Sequence, residues 1–329
     1  MKLFFKIAGL LFAFVSVSPS LLAQAWLFPK GGGTVTLSYQ NIFVRDHVDG
    51  TGKKFDLGHM MSSVMSIDTD YSVTDRLAIK VGIPYVATRY YGAYPHQLSV
   101  DDGKYHSTFQ DFNFEARYNL TNRSVVVTPF FKVGIPSHSY EYFAHAAVGK
   151  DQREYRMGVN VGRRLDPIIR KAYVQGRYAF GVSQPILNIA MKRSYTEFQY
   201  GHFLTPRVTL LGSGQWMHSH TGGNADFSAL LAGDPYGGLP PAVWPHHDQL
   251  GKSSLFDVSG GTAVTLSRSI DFFVSVGRSL TGTSGHVNSA VVTMGISRSF
   301  GTHFETATTQ NGPGPSPDSA FVCTCPKLN

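Results

Sequence analysis

Cysteine is almost missing from this 329-residue chain: the two present, Cys323 and Cys325, stand at its far end, so no disulfide framework holds its body together. Charge is sparse, at 16% of residues, and no block of lysine or arginine appears, which gives no ground for a nucleic-acid partner. No motif calls for a cofactor. After residue 25 no apolar run approaches the roughly 20 residues of a membrane helix, so a membrane form of this chain has to be a barrel.

The first residues read as a secretory signal peptide. Lys2 and Lys6 form a positive start, Ile7 to Val17 an apolar stretch, and Ala23-Gln24-Ala25 an A-x-A cleavage site, placing the mature start at Trp26. Without the two leader lysines, 27 basic side chains face 22 acidic ones, a balance of +5. The expected division is a signal peptide at 1–25, a barrel at 26–301 and a disordered periplasmic tail at 302–329.

What the chain does have is a period of two almost everywhere. Phe112, Phe114, Ala116, Tyr118 and Leu120 alternate with Asp111, Asn113, Glu115, Arg117 and Asn119. Leu77, Ile79, Val81, Ile83 and Tyr85 alternate with Ala78, Lys80, Gly82 and Pro84. Polar faces of small and oppositely charged residues suit a wet lumen, and the apolar faces suit lipid.

Twelve such runs are predicted, near 33–46, 60–73, 75–90, 108–121, 124–140, 152–165, 171–184, 193–204, 207–219, 253–267, 269–281 and 287–300. Tight turns follow every second run, at Thr74-Asp75, Thr121-Asn122-Arg123, Asp166-Pro167, Thr205-Pro206 and Arg268-Ser269, and longer links lie between them. An even strand number with short periplasmic turns and longer outer loops is the layout of an outer-membrane barrel. The expected fold is thus all-β, a transmembrane antiparallel up-and-down barrel in the lipid bilayer of the cell outer membrane. The last strand ends on Phe300, like the signal read by the outer-membrane assembly machinery.

The leader, the strand count and the stretch "TDRLAIKVGIPY" (Thr74 to Tyr85) resemble the outer-membrane channels linked to phenol degradation, a group similar to the toluene and long-chain fatty-acid channels. The resemblance implies passive uptake of small organic solutes, hydrophobic or aromatic ones included, by a route that can pass through the barrel wall. Only about seven residues, Trp26 to Gly32, precede the first strand, so no plug-like hatch is evident.

Lys-Val-Gly-Ile-Pro occurs twice, ending at Pro84 and Pro136, on two strands that rise from short turns. Proline gives no ladder donor. Either both prolines mark where strands leave the membrane, or they interrupt the ladder in the outer leaflet and open a lateral gap. By parity the inward charges are Asp68, Asp70, Lys80, Glu115, Arg117, Lys132, Arg156, Arg177, Glu197 and Asp257, five acidic and five basic. Such a set argues against strong ion selectivity: the charges either neutralise one another and hold the wall's shape or form a constriction that orients a polar solute.

Eleven of the thirteen histidines fall on outer loops or strand tops: His47, His59, His96, His106, His138, His145, His218, His220, His246, His247 and His286. Of these His218 and His220 share a strand face and are the metal candidates, as yet without a second ligand set. "WMHSHTGGN" (Trp216 to Asn224) is faintly similar to the His-x-Ser-Asn-Gly stretch of the outer-membrane phospholipases. Adjacent strand residues point to opposite faces, so His218 and Ser219 make a poor dyad. A blocked barrel with a structural or surface-contact role is a third reading. The longest link, 220–252, folds over the mouth as a lid on Phe227, Leu230, Leu231 and Trp244, or stands outward as a contact surface. Cys323-Thr324-Cys325 offers two thiols without further ligands.

Overall fold

Alternation of apolar and polar residues is realised as one antiparallel sheet that closes on itself. The structure, a computed structural model, describes residues 24–301; most of the leader and the tail with Cys323 and Cys325 lie outside the described residues.

The strands are β1 (Gly33–Val48), β2 (Lys54–Phe55), β3 (His59–Ser72), β4 (Leu77–Tyr91), β5 (His106–Phe109), β6 (Asp111–Tyr118), β7 (Thr121–Asn122), β8 (Val125–Pro136), β9 (Glu154–Arg164), β10 (Ala172–Ser183), β11 (Lys192–Phe203), β12 (Val208–Ser219), β13 (Ser254–Ser267), β14 (Ile270–Thr283) and β15 (Gly285–Phe300). β2 is a two-residue return against β1, and β5, β6 and β7 run end to end as one wall strand, so the wall has twelve strands. β15 pairs with β1 from Gly33↔Phe300 to Val48↔Gly285 and removes the last free edge. Closure is what lipid demands, because an unpaired backbone group there costs several kcal/mol.

The wall is apolar outside and polar inside. Leu37, Ile67, Ile83, Phe114, Phe131 and Phe198 are exposed, whereas Thr36, Glu115, Arg117, Thr128, Asn160 and Thr293 are buried. This is the reverse of a soluble protein and the arrangement of a membrane barrel. At the turn end Phe300 stacks on Tyr71, ring centroids 6.3 Å apart.

Two short turns use one device. Thr74 Oγ1 accepts from Arg76 N (3.2 Å) and Leu77 N (2.9 Å), and Thr205 Oγ1 accepts from Arg207 N (3.2 Å) and Val208 N (3.0 Å). Each hydroxyl stands in for a backbone acceptor and fixes the reversal. At the loop end the link expected at 282–286 contracts to Ser284 between β14 and β15. The strand expected over 124–140 stops at Pro136.

A charged lumen beneath a histidine-lined mouth

Parity gives the face a side chain occupies, and register gives its neighbours on the adjoining strands. In register, Asp70 pairs with Lys80, Lys80 with Glu115, Glu115 with Lys132 and Lys132 with Arg156. These charges thus form one register row across five adjacent wall strands, in the order minus, plus, minus, plus, plus. A second row runs Arg177, Glu197, Gln215, Asp257 and Ser279 over β10 to β14.

Nine of the ten inward charges named from sequence, Asp68, Asp70, Lys80, Glu115, Arg117, Lys132, Arg156, Arg177 and Glu197, line a cavity of about 420 Å³ within the barrel. Asp257 lies apart from it, buried and accepting from Ser279 Oγ at 2.7 Å. Lys80 meets Asp68 at 3.3 Å, and Arg177 meets Glu115 at 2.6 Å. Arg117 joins Asp70 and approaches Glu115 at 3.7 Å. Glu154, the first residue of β9, takes Arg156, Arg193 at 3.5 Å and the Tyr195 hydroxyl at 2.6 Å. Two guanidiniums also cover rings, Arg177 over Phe130 at 3.6 Å and Arg156 over Tyr195 at 3.8 Å. Buried charges so bound are fixed features of the wall.

The turn end holds what the strand count does not reveal. Residues 24–27 enter the lumen, where Trp26 meets Tyr173 edge-on (5.8 Å) in a cluster with Ala25, Val126, Leu211 and Phe273. In the uncleaved chain Thr128 Oγ1 also donates to Ala25 O at 2.6 Å and Arg117 Nη1 to Gln24 O at 2.9 Å, contacts that cleavage before Trp26 removes. A Cβ at Gly162 would lie 2.6 Å from Trp26 Cη2, so only glycine leaves room for the indole. The few residues ahead of β1 are therefore enough to cover the inside of the turn end; lacking any period, they gave no sign of it.

At the loop end the 220–253 segment folds inward. Asp226 caps a helical turn, Phe227–Leu231, and Phe227 packs on Phe55 and Leu57. Gln249 and Leu250 are buried; Gln249 Nε2 donates to Lys150 O at 2.6 Å, and Arg193 Nη2 donates to Gln249 O at 3.1 Å. Of the four residues expected to pack, Leu231 is instead 48% exposed. Under this lid lies a cavity of about 780 Å³, lined among others by Tyr94, Phe143, Phe227 and Trp244.

Asp101 gathers two neighbouring loops. Its carboxylate accepts from His96 N (2.8 Å), His145 N (3.2 Å) and Ala146 N (2.8 Å), which brings the His96 and His145 rings to a 3.9 Å stack. His47 pairs with His286 across the β1–β15 seam, and His247 and Asp248 come down from the lid. Burial above all, then neighbouring imidazoles, holds His96 down at about 3 and His145 at about 4, so both rings are neutral at ordinary pH. Burial above all, then the Arg193 charge, likewise lowers Lys150 to about 7.

The two histidines named from sequence stand elsewhere. His218 and His220 meet edge-on at 5.0 Å, and His220 is within 2.8 Å of Ser194 Oγ. Ser219 is buried, its hydroxyl toward Met217, so the strand puts it and His218 on opposite faces. Pro84 lies inside β4, and its carbonyl accepts from Gln110 N at 3.0 Å where β5 gives way to β6. Pro136 closes β8, opposite Asp111.

No protein-family model and no curated protein matches the chain. Among solved structures it is similar to the COG4313 outer membrane channel from Pseudomonas putida F1, at 12% identity over 87% of this chain and 100% of that one, TM-score 0.64. It is also similar to the NanC porin, at 7% identity over 81% and 98%, TM-score 0.47, and to the β domain of the Bordetella autotransporter BrkA, at 10% over 82% and 100%, TM-score 0.47. At these identities the likeness is one of fold, that of an outer-membrane barrel.

Proposed function

We propose that this barrel is a passive outer-membrane channel for small organic solutes, aromatic ones among them. The observation that carries the reading is the stacking order of the interior: an aromatic-lined cavity of about 780 Å³ at the mouth, above a second of about 420 Å³ ringed by charges of both signs. Rings such as Phe143 and Trp244 offer faces and edges to a flat apolar solute. Below them, acids and bases bonded to one another present dipoles without a large net field, which favours neutral solutes over ions of either sign.

Two segments stand on the path, the lid and the stretch at Trp26 and Leu27. Uptake on this reading requires at least one to move, and the test includes a barrel lacking lid residues 226–248. In reconstituted vesicles, swelling with a pentose and uptake of phenol or toluene are expected, both faster without the lid. A barrel impermeable to all of these, with and without the lid, is a structural or surface-contact protein instead.

A wall exit for the apolar solutes has one observation in its favour. In an antiparallel ladder a residue's N–H and C=O reach the same neighbour, so Pro84 lacks its donor on the side of Gln110, where the ladder already breaks.

A further inference from the structure

Five segments deliver imidazoles to one place at the mouth: the end of β1 (His47), the 92–105 loop (His96), the 137–153 loop (His145), the lid (His247, beside Asp248) and the start of β15 (His286). The donor atoms of His47, His145 and His286 all lie within 4.8 Å of one another, as do those of His96, His247 and Asp248. We infer that the mouth is a binding site for a divalent late-transition cation of the zinc, copper or nickel class, held by His47, His145 and His286, with His96, His247 and Asp248 as a second donor set beside it.

The spacing suits such an ion. His47 Nε2 and His145 Nδ1 are 3.4 Å apart; two nitrogens at zinc's usual bond length in a tetrahedral shell stand about 3.3 Å apart. Three imidazoles with a position left open form a borderline-soft nitrogen set, which favours zinc, copper or nickel over magnesium or calcium.

The rings are also oriented for it. A carbonyl can only accept, so Tyr94 O, 3.0 Å from His145 Nε2, fixes the proton on that nitrogen and leaves Nδ1 with its lone pair toward His47. Trp244 O, 2.8 Å from His247 Nδ1, does the same for that ring and frees Nε2. Backbone partners of this kind hold metal-binding histidines in one tautomer. His47 is 2% exposed, and His96 buries an Nδ1 that has no hydrogen-bond partner among the described residues. Asp248 gives the second set its carboxylate, 3.7 Å from His247 Nε2. The first set joins the ends of β1 and β15 to the 137–153 loop, and the second, His96 with His247 and Asp248, joins the 92–105 loop to the lid. The inference does not rest on transport: a barrel that passes no solute would still bind the ion.

The test titrates Zn2+ into the chelator-stripped, detergent-solubilised full chain by calorimetry, with X-ray absorption on the loaded protein. One saturable ion per barrel in a nitrogen-dominated shell is expected. His145→Ala and His286→Ala should each weaken binding about tenfold or more, while a His218→Ala/His220→Ala double variant binds as the original. Heat-shifted gel mobility verifies that each variant is a folded barrel, and the shell measured on the unmutated protein stands whatever the variants do. No saturable binding, an oxygen-only shell, or a loss that follows His218 and His220 overturns the inference.

Discussion

Pro84 and Pro136 flank a single wall strand and face consecutive residues of it: Gln110 N donates to Pro84 O at 3.0 Å, and Asp111 is the register partner of Pro136. The repeated pentapeptide thus brackets one kink, between β5 and β6. Replacing both prolines by valine restores ladder donors on each side. If the kink is an exit, toluene uptake into vesicles slows while that of a small hydrophilic solute stays the same, and stability rises by about 0.5 to 1.5 kcal/mol per bond gained. Unchanged toluene uptake leaves only the lumen as a path.

The charge belt predicts selectivity. Glu115 is the acid shared by Arg177 and Arg117, so Glu115→Gln leaves both cations under-compensated. The reversal potential in a potassium chloride gradient should move toward anion selectivity, with a loss of about 3 kcal/mol in stability. Arg177→Gln should move it the other way. Two variants with the original potential would mean that ions do not pass the belt.

At the turn end Trp26 and Gly162 act as a pair. Trp26→Ala removes the indole at a cost of up to about 3 kcal/mol and should raise single-channel conductance. Gly162→Ala puts a methyl where Trp26 Cη2 now sits 2.6 Å away, and should raise conductance by displacing the same ring. In the double variant the second change adds little, because there is no ring left to displace. Additive effects would separate the two sites.

The wall has two unlike faces. Lysine at Ile83, which is 38% exposed on the outside, should cost about 2 to 4 kcal/mol in unfolding from vesicles. Lysine at Gly134, where a Cβ meets nothing closer than 3.7 Å, should cost much less. Equal costs would indicate a dry, packed interior.

Orientation is read by labelling intact cells. With Cys323 and Cys325 replaced by serine, a cysteine at Ala232 in the lid should react with an impermeant maleimide and one at Thr205 in a short turn should not. The opposite pattern inverts the barrel.

The strand count and the two faces were legible because lipid imposes a period of two on every spanning segment, as in Asp111 to Leu120. Register was not legible: parity says that Lys80 and Glu115 face inward but not that they are cross-strand partners, since pairing depends on how each turn sets the next strand. The two copies of Lys-Val-Gly-Ile-Pro look equivalent in sequence yet differ in the fold. β4 continues past Pro84 to Tyr91 because β5 covers it, while β8 ends at Pro136. The histidines were recognisably crowded onto the loop side, but their meeting point depends on Asp101 binding two loops and on the lid folding in, neither of which leaves a periodic trace.

The seam between β1 and β15 has a consequence for biogenesis. His47 sits near the end of the first strand and His286 near the start of the last, and they become neighbours only through the pairing that shuts the cylinder. A nascent sheet with its two edges still apart keeps His47 and His286, two of the three donors of the first set, in different places. Metal capture would then mark completed insertion, separating finished barrels from stalled ones by a signal that no intermediate can give.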